Sequence, residues 1–272
     1  MEVRLYPNAS RPGVGLRPKR EAQRPLLPQH ARHCPVLEAG SSLGYLVYPP
    51  LTADESFHVE YRGDGKYSFA FYAKNKSTGR TDALFQVLMK MPVGTAGMIS
   101  EEVTFLTNPP VTDRANALAI MRTFLIVEDM GTPAGALSLR GSWNFKTPEG
   151  WDAVYAPIFN LIERPIAPML VVRVETDWYP HDSEFRYVME PGEGISGQHT
   201  LPIGQVFFVP REEIVARDCT KEEIEQLKVA RQEFLHHKAS DRLTTPYGYT
   251  YSPHYLKKSR ESREATKSTK DG

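Results

Sequence analysis

The chain has little cysteine, no surplus of either charge and no long apolar run, and each shortage excludes a class of protein. Only Cys34 and Cys219 occur in 272 residues. They lie far apart without C-x-x-C spacing, which argues against a disulfide scaffold and a structural zinc site and favours a reducing compartment. Thirty-three basic residues balance thirty-three acidic ones, so no global field draws the chain to nucleic acid, membranes or acidic substrates. No stretch of about 18 apolar residues is present, and Met1-Glu-Val-Arg-Leu-Tyr-Pro7 lacks the charged-then-apolar layout of a signal peptide. The expectation is a soluble, unprocessed cytoplasmic protein with no membrane partner. A phosphate-cradling glycine loop, a G-x-S-x-G elbow and an internal repeat are missing too, so the common signatures of nucleotide binding, serine hydrolysis and solenoids are absent.

What the chain does have is a set of short strands. Between Trp143 and Pro210, apolar runs alternate with turn residues such as Pro148-Glu-Gly150 and Pro191-Gly-Glu-Gly194. Ala153 to Tyr155, Met169 to Glu175, Phe185 to Met189 and Val206 to Val209 have strand length and β-branched or aromatic enrichment. A proline-bounded excursion from Pro157 to Pro168 separates the first two. Upstream, Phe57 to Arg62 and Tyr67 to Ala73 flank Gly63-Asp64-Gly65, the signal of a tight hairpin. Further strands are expected at Val3 to Tyr6, Leu43 to Tyr48, Ala83 to Met91 and Phe124 to Val127, and Asp113 to Met121 suits a short helical turn.

The two ends differ from this middle. Residues 7 to 36 mix six prolines with basic residues and cannot form regular ladders. A basic arm can neutralise phosphates, but without interleaved aromatics the reading is an extended arm that is loose, laid on a surface or intersubunit, with nucleic acid not expected. Beyond Pro210, Thr220-Lys-Glu-Glu223 is a capping box, followed by Ile224, Leu227, Ala230, Phe234 and Leu235 at helical spacing. It predicts a helix over 221–237 whose apolar stripe packs on the sheet, with His236 and His237 favoured by the dipole of its last turn. An aromatic wrapping segment from residue 241 and a disordered tail from Lys257 complete the chain. The expected organisation is therefore an arm (1–40), a β-rich domain with its helix (41–240) and a tail (241–272). The fold class is mainly β, a compact β-clip-like or barrel-like domain with one C-terminal helix.

Candidate chemistry gathers after the Met169 to Glu175 run. Asp177, His181, Asp182 and Glu184 crowd one loop, and with His199 they offer a mixed N and O donor set for a divalent metal. No other cofactor is expected. His58 and Glu60, two residues apart on one strand face, read as an exposed pair. Trp178 and Tyr179 beside Asp177, together with Asn160 and Gln205, are the candidate ligand-binding residues.

These residues also carry a resemblance. The runs Thr147-Pro-Glu-Gly-Trp151, Val174-Glu-Thr-Asp-Trp178 and Leu201-Pro-Ile-Gly-Gln-Val-Phe-Phe-Val-Pro210 resemble a family of bacterial and phage proteins known as a domain of unknown function, which implies no activity. More distantly, the order of elements is similar to the β-clip fold of deoxyuridine triphosphatases. Pro148, Gly150 and Trp151 match a strand start of that fold. Asp177 matches the aspartate that orients the attacking water, and Gln205 matches a strand-start glutamine. The sequence departs from that pattern at Asn160-Leu-Ile-Glu163, where the enzymes carry a phosphate-binding Arg-Ser-Ser, and at Leu201-Pro202, where they carry Gly-Asp. It also lacks their glycine-rich lid. Phosphoryl transfer needs cationic and N–H groups around the phosphates, so Asp177 alone does not make a hydrolase. The expected function is a non-enzymatic assembly or ligand-binding β module, of the kind found in phage particles, forming homo-oligomers through its arm and tail. An enzyme built on the Asp177 loop is the alternative, either metal-dependent or nucleotide-hydrolysing.

Overall fold

A computed structural model describes residues 2–21, 34–90, 103–106, 112–126, 133–161, 169–246, 248 and 250–268. The chain forms two units, Met1–Glu212 and Glu213–Gly272. The first unit runs β1 (Arg4–Pro7), α1 (Pro35–Ser41), β2 (Tyr45–Val47), β3 (Glu55–Gly63), β4 (Lys66–Lys74), β5 (Thr81–Lys90), β6 (Val103–Phe105) and α2 (Arg114–Phe124). It continues through β7 (Leu125–Ile126), β8 (Ala136–Arg140), β9 (Trp143–Lys146), β10 (Trp151–Ala156), β11 (Met169–Leu170) and β12 (Val172–Val174). It ends with β13 (Glu184–Val188), β14 (Gly194–Gln198) and β15 (Gly204–Pro210). The second unit holds α3 (Lys221–Ser240), β16 (Leu243–Thr244), β17 (Thr250–Tyr251) and α4 (His254–Ser268). The protein is mainly β with a C-terminal helix, and its sheets do not close into a barrel. No helix among the described residues is long and apolar enough to cross a membrane.

Every ladder is antiparallel, and the largest sheet has the order β14-β3-β4-β5-β6. The period of two along β3 decides which face is buried. Phe57, Val59 and Tyr61 point inward while His58 and Glu60 are partly exposed, as the pleat requires. The hairpin from β3 to β4 turns through Gly63, Asp64 and Gly65, all at positive φ, the conformation such turns select for. Phe57, Phe69, Phe71 and Phe85 form an aromatic row across this sheet, with neighbouring ring centroids 5.7 to 6.0 Å apart. Phe124 from α2 packs on Phe57 at 5.2 Å and Phe71 at 5.6 Å. The helix starts where the Asp113 carboxylate accepts the Asn116 N–H at 2.8 Å, and it buries Ala117, Met121, Thr123 and Phe124.

Two four-stranded sheets, β12-β10-β15-β2 and β11-β13-β8-β7, and the two-stranded β1-β9 complete the described sheets of the unit. The expected strand Met169 to Glu175 is split. Met169–Leu170 pairs with β13, whereas Val172–Val174 pairs with β10 in the other sheet. Gly44 enters β2 at φ +76°, and a Cβ there would stand 1.8 Å from the Val206 carbonyl oxygen. That contact leaves no room for a side chain.

Several expectations are corrected. Of the expected states of the arm, its described part is laid on a surface rather than loose. The buried Asn8 donates its side-chain N–H to the Gly141 carbonyl and its backbone N–H to that of Ser142, both at 2.9 Å, and Lys19 bridges to Leu46. Residues 22 to 33 of the arm and 162 to 168 of the proline-bounded excursion lie outside the described residues. Two helices lie outside the two helical stretches expected. α1 begins at Pro35, suited to a first helical position, and α4 covers much of the stretch expected to be disordered. α3 starts at the capping box as expected, but none of its residues is buried, so its stripe is not core.

Candidate functional site

Asp177 sits in the turn after β12, and both its oxygens are engaged. One accepts the Gly150 N–H at 2.9 Å and the other Nη2 of Arg211 at 2.6 Å. The same guanidinium donates to Oδ1 of Asp152 from Nε at 3.0 Å and from Nη2 at 2.7 Å. On its other oxygen Asp152 accepts Nε of Arg173 at 2.6 Å. Asp152 is 2% exposed, and two flanking arginines supply the partners that a buried carboxylate requires. Hydrogen bonding to Arg211 holds the Asp177 carboxyl below its ordinary range, and Asp152 and Asp177 raise the guanidinium in return. A carboxylate held ionised in this way is a weak base towards water. The node ties the start of β10, the end of β12 and the end of β15 together. Its other members, Asp152, Arg173 and Arg211, escaped the sequence reading, although one charge inside the apolar strand Trp151-Asp-Ala-Val-Tyr155 was an available signal.

The neighbouring candidates do not converge on one point. Trp178 donates its indole N–H to the Glu175 carboxylate and is 66% exposed; the exposed Tyr179 stacks on His181 at 5.4 Å. Nε2 of His181 lies 3.6 Å from Glu184, whose other oxygen meets Arg186 at 2.9 Å. Asp182 accepts from Asn144 at 2.8 Å and faces Arg140 at 3.8 Å. His199 is held elsewhere, with Nδ1 2.6 Å from the Leu51 carbonyl oxygen. Among the described residues no group of three or more His, Cys, Asp or Glu side chains is placed to hold a metal, so His181, Asp182 and His199 are not assembled into one donor set. His58 pairs with Ser196 at 2.9 Å and Glu60 with Arg62 at 2.9 Å.

Asn160 and Gln205 do meet, around α1. Asn160, in the left-handed region at φ 59°, donates to the Leu37 carbonyl at 3.1 Å and the Ser41 hydroxyl at 3.0 Å. The buried Gln205 accepts the Phe159 N–H at 3.1 Å and donates to the Ser41 and Leu43 carbonyls. Both side chains fasten α1 to the sheet, and these bonds occupy the groups a ligand would have used.

A cleft of about 730 Å³ opens instead beside α2. Its floor is apolar, with Phe71 and Leu84 from the large sheet and Ile120 and Phe124 from the helix. Arginines from three segments stand around it: Arg11 of the arm, Arg122 of α2 and Arg140 at the end of β8. Arg11 is neutralised, since its guanidinium meets both oxygens of Glu55 at 2.9 Å. Burial works against the Glu55 carboxylate, but Arg11 and the Thr52 N–H more than offset it, so its carboxyl is lowered. Arg140 is partly balanced by Asp182 at 3.8 Å. Arg122 has no carboxylate partner among the described residues. Among the described residues the cleft therefore combines an apolar floor with a surplus of positive charge. Sequence reasoning missed it because its residues are spread from 10 to 140 and share no motif. Compared with known proteins, the chain matches no family model, no curated protein and no solved structure.

Proposed function

We propose that the β-rich unit is a non-enzymatic binding module whose α2 cleft takes a small anion with an apolar body, such as a medium-chain or aromatic carboxylate. The observation that carries this reading is the cleft itself, with Phe71, Leu84, Ile120 and Phe124 beneath and Arg122 and Arg140 beside them. Its volume of about 730 Å³ lies in the range of sites that enclose ligands of this size. The partly exposed Leu84 and Ile120 supply affinity by losing surface to the ligand over the already buried Phe71 and Phe124, and the guanidiniums fix the anionic end through charge-assisted bonds. The tied state of Asp177 supports binding over the phosphohydrolase alternative, because its oxygens already serve Arg211 and Gly150.

Titration calorimetry with octanoate tests the proposal, with octanol as the uncharged control. Octanoate is expected to bind more tightly than octanol. Arg122→Glu should weaken octanoate about tenfold, the equivalent of one charge-assisted hydrogen bond, and leave octanol unaffected. Absence of heat with both compounds overturns the proposal, as does an Arg122→Glu protein that binds octanoate unchanged.

A further inference from the structure

Three guanidiniums line the cleft beside α2, but Glu55 is the one carboxylate among its described lining residues. Glu55 opens β3, and both its oxygens are engaged. Oε1 accepts Nη2 of Arg11 and Oε2 accepts Nη1, each at 2.9 Å, and Oε2 also accepts the Thr52 N–H at 2.9 Å. Nη1 of Arg11 donates further to the Pro50 carbonyl at 3.0 Å. A two-pronged pairing of guanidinium and carboxylate is the strong form of a charge-assisted bond. Both side chains are largely covered, at 25% and 17% exposure, so salt screens this pair less than one in open water. A ligand cannot take Arg11 without leaving Glu55 unpaired.

The charge count of the cleft follows from that pair. Arg140 faces Asp182 at 3.8 Å, so among the described residues Arg11, Arg122 and Arg140 stand against Glu55 and Asp182, and one positive charge is in surplus. The attraction of that surplus for an anion grows in proportion to the ligand's charge, whereas the cost of taking the ligand out of water grows as its square. A single surplus charge therefore suits a ligand with one negative charge. A dianion would bring a second charge that nothing in the cleft balances, beside a carboxylate that repels it. Without the charge on Glu55 the surplus would be two, and a dianion would be matched. We propose that Glu55, through its hold on Arg11, is the specificity-determining residue that restricts the cleft to singly charged anions. This inference rests on the reading of the cleft as an anion site and adds which anions it admits.

Octyl sulfate and octyl phosphate share an apolar body and a tetrahedral head, but at about pH 8 the first carries one negative charge and the second close to two. Titration calorimetry on the full chain at that pH is expected to show octyl sulfate binding about tenfold more tightly than octyl phosphate. Glu55→Gln keeps an oxygen for Arg11 and removes the charge, and it should bring the two affinities within about threefold of each other. Arg11→Gln breaks the same pair but takes away a cation, so it should widen the gap. A wild-type protein that binds octyl phosphate as tightly as octyl sulfate overturns the proposal, as does a Glu55→Gln protein with an unchanged gap. A gap that narrows in Arg11→Gln as it does in Glu55→Gln also overturns it, and assigns the effect to a loosened arm. If the wild-type protein fails to bind octyl sulfate at all, the anion reading of the cleft falls and this inference with it; the other outcomes bear on Glu55 alone.

Discussion

In the β-rich unit Phe57, Phe69, Phe71, Phe85 and Phe124 are each at most 2% exposed, whereas α3 has no buried side chain along its twenty residues. The first unit is stabilised by contacts between residues distant in sequence. It removes aromatic surface from water, and each ring depends on several strands being in place. α3 relies on local terms. These are the reciprocal capping box of Thr220 and Glu223, the fork of Arg217 on Glu223 at 2.8 and 2.6 Å, and the Glu225 to Lys228 pair at 2.6 Å. Such terms contribute tenths of a kcal/mol to about 1 kcal/mol each. The contrast shows that one chain can carry a unit stabilised by burial between distant residues beside a helix stabilised by local bonds.

The contrast breaks most decisively at Phe124. Phe124→Ala removes a ring packed on Phe57 and Phe71 and should cost about 4 kcal/mol in urea denaturation; a cost below about 1 kcal/mol would mean that the aromatic row is not the main support. Asp152→Asn comes next. It leaves Arg173 and Arg211 without their shared charge, and a loss of about 2 kcal/mol is expected from hydrogen bonds to charged groups. The same region sets an acid limit. Asp177 and Glu55 are both lowered in the fold from ordinary values of 3.8 and 4.5. Their contribution is fully present above those values and is lost as the pH falls through the lowered ones. A Tm measured against pH should therefore decline below about 4.5, and Asp177→Asn should flatten part of the decline. The smallest effect is in the helical unit, where Thr220→Ala should cost about 1 kcal/mol of helix stability. Faster amide exchange in the first turn of α3 would register it. That substitution removes the hydroxyl that accepts the Glu223 N–H but keeps the backbone N–H at 220; Arg217 and that N–H together pull the Glu223 carboxyl down to about 2.

Much of the fold was legible where information is local. The alternation of Phe57, Val59 and Tyr61 with polar neighbours and the glycines flanking Asp64 specify a hairpin, and Thr220 to Glu223 specifies a helix start. The tail was misread because its Lys, Arg, Ser and Glu residues resemble a solvated tail, although Lys, Arg and Glu are also good helix formers. Legibility fails at the candidate site. Arg211 lies 59 residues from Asp152 and 34 from Asp177, and no spacing rule links them. His181 and Asp182 share a loop with Asp177, but nearness along a turn does not aim donors at a common point. The stripe of α3 was found correctly as a stripe. Periodicity reports which residues share a face and says nothing of what covers it.

The split at Val171 has a consequence for the evolution of the chain. Met169–Leu170 and Val172–Val174 belong to different sheets, and only the exposed Val171 stands between them. A residue inserted here would have to bulge at the crossing between the sheets or slide one of these two short ladders, because Val171 alone joins them. Length variation in this protein should therefore collect in its turns and at its two ends, leaving residues 169 to 174 of fixed length.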